Sequence, residues 1–148
     1  MIRFILILAL WFLSGILFPF DSTFYQSLSK PFFTPPGIIF SIVWPILYLL
    51  ITISINKIYK EYSIKEIPSY NRSLGINYLF NQLYSFVFFT LHSVFLGFCF
   101  NLGTLISALF LYDETKSLNK TASTYLIPYI IWCVFATILS LVIYFMNF

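Results

Sequence analysis

Five long apolar runs, at about residues 4–20, 37–56, 76–92, 95–112 and 124–145, contain no Asp, Glu, Lys or Arg. That absence dictates the class of fold. About 20 apolar residues cross the hydrocarbon core of a bilayer as a helix, because a helix satisfies every backbone N–H and C=O within one segment. The chain has 148 residues, 60% hydrophobic and 9% charged, so five crossings use most of it and little is left for an extramembrane domain. The expected fold is an all-α membrane protein, one domain of five transmembrane helices over residues 1–148, with the lipid bilayer as its solvent. The first run also has the shape of a signal peptide. Arg3 alone makes a weak basic region, however, and no A-x-A site follows, so a span is the preferred reading.

Between the runs lie an aromatic first loop from Asp21 to Pro36 and a hydrated loop from Lys57 to about Gly75. A very short turn near Ser93 follows, and then a polar loop around Asp113, Glu114, Lys116 and Lys120. Five crossings place Arg3, Lys57, Lys60, Lys65, Arg72, Lys116 and Lys120 on one side and Lys30 alone on the other. Seven against one is a strong positive-inside bias, which predicts a cytoplasmic N-terminus and an outward-facing C-terminus.

The same lack of charge excludes several functions. Ion-coupled pumps keep ionisable groups at membrane depth, and none is expected here. His92 is the only histidine and all carboxylates fall in loops, so neither a hydrolytic triad nor a zinc site can be assembled. The net charge of +3 is too small and too dispersed to make a nucleic-acid partner. Cys99 and Cys133 lie in apolar runs and read as small buried hydrophobes.

The stretch from Lys30 to Tyr48 is the most specific. Pro31, Pro35 and Pro36 hold its approach extended, as a stiff lid, and Thr34 or Gly37 stands ready to cap the helix that follows. Trp44 and Tyr48, four apart, share a helix face. Pro45 leaves the Ser41 carbonyl without its i+4 donor, so that face should look into protein or a cavity rather than lipid. In the third run Asn81, Tyr84, Phe88 and His92 follow helical spacing and form a stripe suited to a flat ligand, or equally to packing between helices. In the fifth, Trp132, Ala136 and Leu139 share a face where Ala136 leaves room beside the indole. Gly103 and Ser107 form a small-xxx-small pair that permits close approach of helices or protomers.

Three blocks of residues resemble one family. Lys30-Pro31-Phe32-Phe33-Thr34-Pro35-Pro36 with Trp44 and Leu47-Tyr48 is similar to the K-P-x-W-x-P-P…W-x-x-L-Y signature of the translocator proteins, also called tryptophan-rich sensory proteins. Asn81, Ser85, Phe88, Phe89 and His92 match its third-helix segment, and Pro128-Tyr129, Trp132 and Phe135-Ala136-Thr137 its fifth. The resemblance implies a bundle of five transmembrane helices, often a homodimer, with a ligand cavity under the first loop. It implies binding of tetrapyrroles such as protoporphyrin IX or haem-type ligands, for transport, sensing or light-dependent degradation. It also implies ligand-binding roles for Trp44, Tyr48, Asn81, Tyr84, Phe88, Trp132, Ala136 and Leu139, and lid roles for Lys30, Phe33, Pro35 and Pro36.

The expected arrangement is a macrocycle flat against Trp44 and Trp132, anchored by Asn81, with Lys30 meeting a propionate. No cofactor is required beyond porphyrin as ligand. Trp44 and Trp132 would be the redox partners if bound porphyrin is photodegraded. The alternative is a lipid or small-molecule exporter or scaffold whose cavity takes no porphyrin. Other family tryptophans are replaced here by Phe24, Phe33, Ile38 and Tyr84, which keeps mostly aromatic bulk but removes indole donors. The usual Gly-Pro of the second helix reads Ser41-Ile42, with Pro45 moved past the tryptophan. The sterol pattern lacks its basic residue after Tyr144.

Overall fold

A computed structural model describes residues 1–148 and contains helices and no strands. The helices are α1 (Ile2–Trp11), α2 (Leu13–Leu17), α3 (Ser22–Ser27), α4 (Gly37–Glu61), α5 (Pro68–Ser85), α6 (Val94–Leu118), α7 (Lys120–Thr124) and α8 (Ile127–Met146). Three of them are long and apolar enough to cross a membrane: α4, α6, and α8 counted together with α7. At 25 residues each, α4 and α6 are about 37 Å long, more than the ~30 Å of bilayer hydrocarbon. By contrast α1 is apolar but ten residues long. Buried Asn77, Asn81 and Gln82 make α5 the least apolar rod.

The polar connectors are much shorter than charge density suggests. Most of the hydrated loop expected over 57–75 is helix: α4 runs on to Glu61, Pro68 opens α5, and Ile64–Glu66 makes a single 3-10 turn. Likewise Asp113, Glu114 and Lys116 belong to α6, which ends only at Asn119, the cap of α7. Hydropathy marks the part of a rod that lies in hydrocarbon, whereas these rods continue past it into water. The first loop is also more ordered than a strap, since Asp21 accepts from the Phe24 N–H at 3.0 Å and starts α3.

The first apolar run is broken at Phe12. Gln82 of α5 inserts there, accepting from the Ser14 N–H at 2.9 Å and donating to the Trp11 carbonyl at 3.1 Å, while the Tyr78 hydroxyl donates to the Leu10 carbonyl at 2.9 Å. Side chains thus replace bonds of the helical ladder, a recognised cause of a kink. At the other end of α5 the chain widens into a π turn over Phe86–Thr90, and His92 closes the connection to α6 with φ 54°. Histidine is among the few non-glycine residues enriched in that left-handed region.

Contacts along the rods define two ends. Arg3 donates to Asn56 Oδ1 and to the Tyr59 carbonyl, and Asn119 donates to Glu61. These place Arg3 beside the basic C-terminal stretch of α4 and the start of α7. At the opposite end Asn147 exchanges two hydrogen bonds with the Ser29 backbone. Trp11, Ile51, Ile58, Tyr70, Leu111 and Tyr129 are fully enclosed in the core between these ends.

Antiparallel α5 and α6 approach closely because Gly103 has no side chain. A Cβ there would stand 2.6 Å from the Phe80 ring, and the Ser107 hydroxyl accepts from Asn77 at 3.0 Å. The Gly103–Ser107 pair therefore serves packing within one chain. Gly103→Leu should cost about 1–3 kcal/mol of stability through overpacking. Gly75→Ala, also within a helix but with open space around it, should gain about 0.5–1 kcal/mol. Thermal unfolding of both variants in detergent micelles would read the contrast, and equal melting temperatures would contradict this packing.

Candidate functional site

The cavity begins with the geometry of α4. Gly37 opens the helix, with Pro36 preceding it and no side-chain cap. The Thr34 hydroxyl instead donates to the Pro31 carbonyl at 2.8 Å, which folds the approach on itself and leaves neither expected cap in use. Pro45 then sits inside the helix. Ser41, Trp44, Pro45 and Tyr48 all face a cavity of about 500 Å³ lined by 25 residues, none of them charged.

All eight residues singled out as ligand contacts line this space: Trp44, Tyr48, Asn81, Tyr84, Phe88, Trp132, Ala136 and Leu139. Trp44 lies against Tyr48 at 5.5 Å, and Tyr84 stacks on Phe88 at 5.4 Å and 12°. Gly97 lets Phe88 pack directly on α6, since a Cβ there would meet its ring at 2.7 Å. The π turn keeps Phe88 on the cavity but carries His92 away from it. His92 stands at the surface, stacked on Phe24 at 4.3 Å and 3.0 Å from the Asp21 carboxylate. The Phe24 amide foremost, and then His92, hold the Asp21 carboxyl below its ordinary value.

Two expectations about the arrangement need correction. The indoles of Trp44 and Trp132 are 6.4 Å apart but cross at 87°, so a planar ligand can lie flat on only one of them. Asn81 is a weaker anchor than its position suggests. Its Oδ1 accepts from the Tyr48 hydroxyl at 3.3 Å and from Gln82 Nε2 at 2.9 Å, and its Nδ2 donates to the Tyr129 hydroxyl at 3.2 Å. Both lone pairs of the amide oxygen are therefore engaged, which leaves one N–H. Asn81 serves packing between helices and the cavity wall at once.

The lid residues fall elsewhere. Lys30, Pro35 and Pro36 line a second, more polar recess that shares Phe20, Tyr25 and Gly37 with the main cavity. The Lys30 ammonium donates to the Tyr25 and Leu28 carbonyls at 2.7 and 3.1 Å and lies over the Tyr25 ring. It is held by its own loop rather than aimed at the cavity. Phe33 lines neither space and meets Phe135 edge-on at 6.5 Å.

Several wall residues were not singled out from the sequence. Phe40 stands one turn before Trp44 and shares its face, so helical spacing pointed to it. Tyr25 was visible only as one ring of an aromatic loop. Phe12, Ser14, Gly15 and Phe18 come from the broken first run, and Asn101 and Ser140 from α6 and α8, where Asn101 donates to the Ser140 hydroxyl. Asn101 and Ser140 were legible as lone polar residues in apolar runs. Two of the lining residues, Tyr25 and Trp132, each hold one polar atom, Oη and Nε1, that is fully buried and without a hydrogen-bond partner.

Comparison with known proteins gives a consistent result. The sequence profile described as TspO/MBR family matches residues 4–146. The chain is 38% identical over 146 residues to a tryptophan-rich protein TspO of Bacillus cereus, covering 99% of this chain and 95% of that protein. It is 38% identical over 144 residues to the uncharacterized membrane protein YtaB of Bacillus subtilis, covering 97% and 93%. A tryptophan-rich protein TspO of Archaeoglobus fulgidus is 31% identical over 134 residues, covering 84% and 80%.

Proposed function

This chain belongs to the TspO/MBR family, and from that premise we propose that it binds tetrapyrroles, protoporphyrin IX or a haem-type ligand, in the cavity beneath its first loop. One observation carries the reading: an uncharged space of about 500 Å³ whose wall includes Trp44, Trp132, Tyr84 and Phe88. Its size falls within the few hundred to a thousand Å³ of small-molecule pockets, which are likewise mostly apolar with a few placed polar groups. Because the indoles are crossed, the macrocycle takes one of them face-on and meets the other at a right angle.

The broken α1–α2 rod and the polar α5 complete five crossings, with the end that holds Arg3, Lys57, Lys60 and Lys120 in the cytoplasm. A homodimer is the proposed assembly, on the strength of the family resemblance. Transport, sensing and photodegradation are all open to such a site, and loss of the porphyrin Soret band under light would single out the last.

Titrating the purified protein with protoporphyrin IX while following the Soret band tests the reading. Stacking on an aromatic side chain contributes about 1–3 kcal/mol per ring contact. Exchange of both indoles for the smaller phenyl ring, in Trp44→Phe with Trp132→Phe, should weaken binding about tenfold. Unchanged affinity in that double variant would remove the two tryptophans from the site. A cavity saturated with co-purified lipid and indifferent to porphyrin would favour a lipid exporter or scaffold.

A further inference from the structure

All three tryptophans of the chain fall in one file of touching rings. Trp132 meets Trp44 with ring centroids 6.4 Å apart, Trp44 meets Tyr48 at 5.5 Å, and Tyr48 meets Trp11 at 5.8 Å. Each spacing lies within the contact range of aromatic pairs. The file joins three rods, since Trp132 comes from α8, Trp44 and Tyr48 from α4 and Trp11 from α1. It also leaves the cavity. Trp132, Trp44 and Tyr48 line that space, whereas Trp11 does not and is 2% exposed.

Indole and phenol are the most readily oxidised rings among side chains, and electron transfer between rings in contact is fast because its rate falls exponentially with the gap. Phenylalanine offers no such step. The other cavity tyrosines, Tyr25 and Tyr84, stand outside the file, and the rings they meet are phenylalanines. Within the file, a phenol must lose its proton as it is oxidised, and the Tyr48 hydroxyl donates to the Asn81 amide oxygen, which accepts a hydrogen bond but does not take the proton. Tyr48 therefore bridges two indoles as a ring and does not itself hold an oxidising equivalent. Beyond Trp11 the next ring is Tyr78, at 5.1 Å, whose hydroxyl donates to the Leu10 carbonyl and is held in the same way. Trp11 is thus the terminus.

We infer that Trp132, Trp44, Tyr48 and Trp11 form a relay that carries an oxidising equivalent out of the cavity to Trp11. The inference rests on the tetrapyrrole reading for its oxidant. Under light the bound porphyrin gives one electron to dioxygen, which leaves a porphyrin radical cation and superoxide. The cation takes an electron from Trp132 or Trp44, and Trp11 replaces that electron across Tyr48. The Trp11 radical cation then combines with superoxide: the C2–C3 bond of the indole breaks, each carbon gains one oxygen, and N-formylkynurenine forms. The sum is one dioxygen added to Trp11, with the porphyrin and both cavity indoles restored. The relay spares the wall that holds the ligand.

Irradiating the purified protein with bound protoporphyrin IX in air, followed by peptide mass spectrometry, locates the product. The wild type should gain two oxygen atoms at Trp11, and azide, which consumes singlet oxygen, should not suppress the gain. Tyr48→Leu removes the bridging ring and should lose the Trp11 product, with oxidation per bound porphyrin moving to Trp44 and Trp132. Tyr48→Phe keeps a ring in place and should retain it; loss there as well would make the Tyr48 phenol a station of the relay and still support it. A Trp11 product that persists in Tyr48→Leu, or that azide abolishes, overturns the relay, because oxygen species would then be reaching Trp11 by diffusion. Oxidation confined to Trp44 and Trp132 in the wild type overturns it while the tetrapyrrole reading stands. A wild type that binds no porphyrin overturns both.

Discussion

Ala136→Phe is expected to weaken protoporphyrin binding at least a hundredfold while leaving the helices folded. Ala136 lies one turn from Trp132 on α8 and lines the cavity. Its small side chain is what keeps space open beside the indole. A benzyl group placed there occupies volume that a macrocycle needs and obstructs approach to Trp132. Because the added ring enters a space of about 500 Å³ rather than a packed core, the overpacking that destabilises filled interiors does not apply. Melting temperature should hold or rise slightly as the new ring covers apolar wall. Ile138→Phe supplies the control, since Ile138 is on the same helix, is 53% exposed and does not line the cavity. Its affinity should equal the wild type's. Wild-type binding by Ala136→Phe would mean that the ligand sits elsewhere, whatever the wall residues suggest.

Charge-free runs reveal apolar rods because lipid tolerates no unpaired charge, and this made the membrane class readable from Phe4 onward. The same signal misplaced the ends of the rods. Lys57, Lys60 and Glu61 are polar yet helical, as are Arg72 and Asp113 through Lys116, because a helix does not stop where the hydrocarbon does. Helical spacing put Asn81, Tyr84, Phe88 and His92 on one stripe, of which the first three line the cavity and His92 does not. The π turn at Phe86–Thr90 breaks the stripe, and nothing in its five residues, Phe-Val-Phe-Phe-Thr, announces a widened turn. Spacing within one helix also says nothing about angles between helices. That Trp44 and Trp132 approach each other yet cross at 87° depends on how α4 and α8 lie together. The break at Phe12 was hidden for a related reason: its cause, Gln82, lies 70 residues further on.

That distant cause predicts the largest effect on stability. Gln82→Leu should destabilise the protein by about 3–5 kcal/mol, because it removes a side chain that completes another helix's backbone. Gln82 is 7% exposed and bonded at both ends of its amide, with Oε1 accepting from the Ser14 N–H and Nε2 donating to the Trp11 carbonyl and to Asn81 Oδ1. Leucine fills similar volume but leaves the amide of Ser14 and the carbonyl of Trp11 unpaired in a place water does not reach, each costing about 1–3 kcal/mol. The helical partner of the Ser14 N–H would be the Leu10 carbonyl, whose oxygen it would share with the Tyr78 hydroxyl that donates at 2.9 Å. Straightening the rod to recover that bond would also move Phe12, Gly15 and Phe18, which line the cavity. Gln82→Leu should therefore lose ligand affinity along with stability, unlike Gly103→Leu, whose clash with Phe80 falls on a ring outside the cavity wall. Equilibrium unfolding in mixed micelles with parallel porphyrin titration measures both effects. A loss below about 1 kcal/mol would show that the first rod closes its own break and that Gln82 merely occupies it.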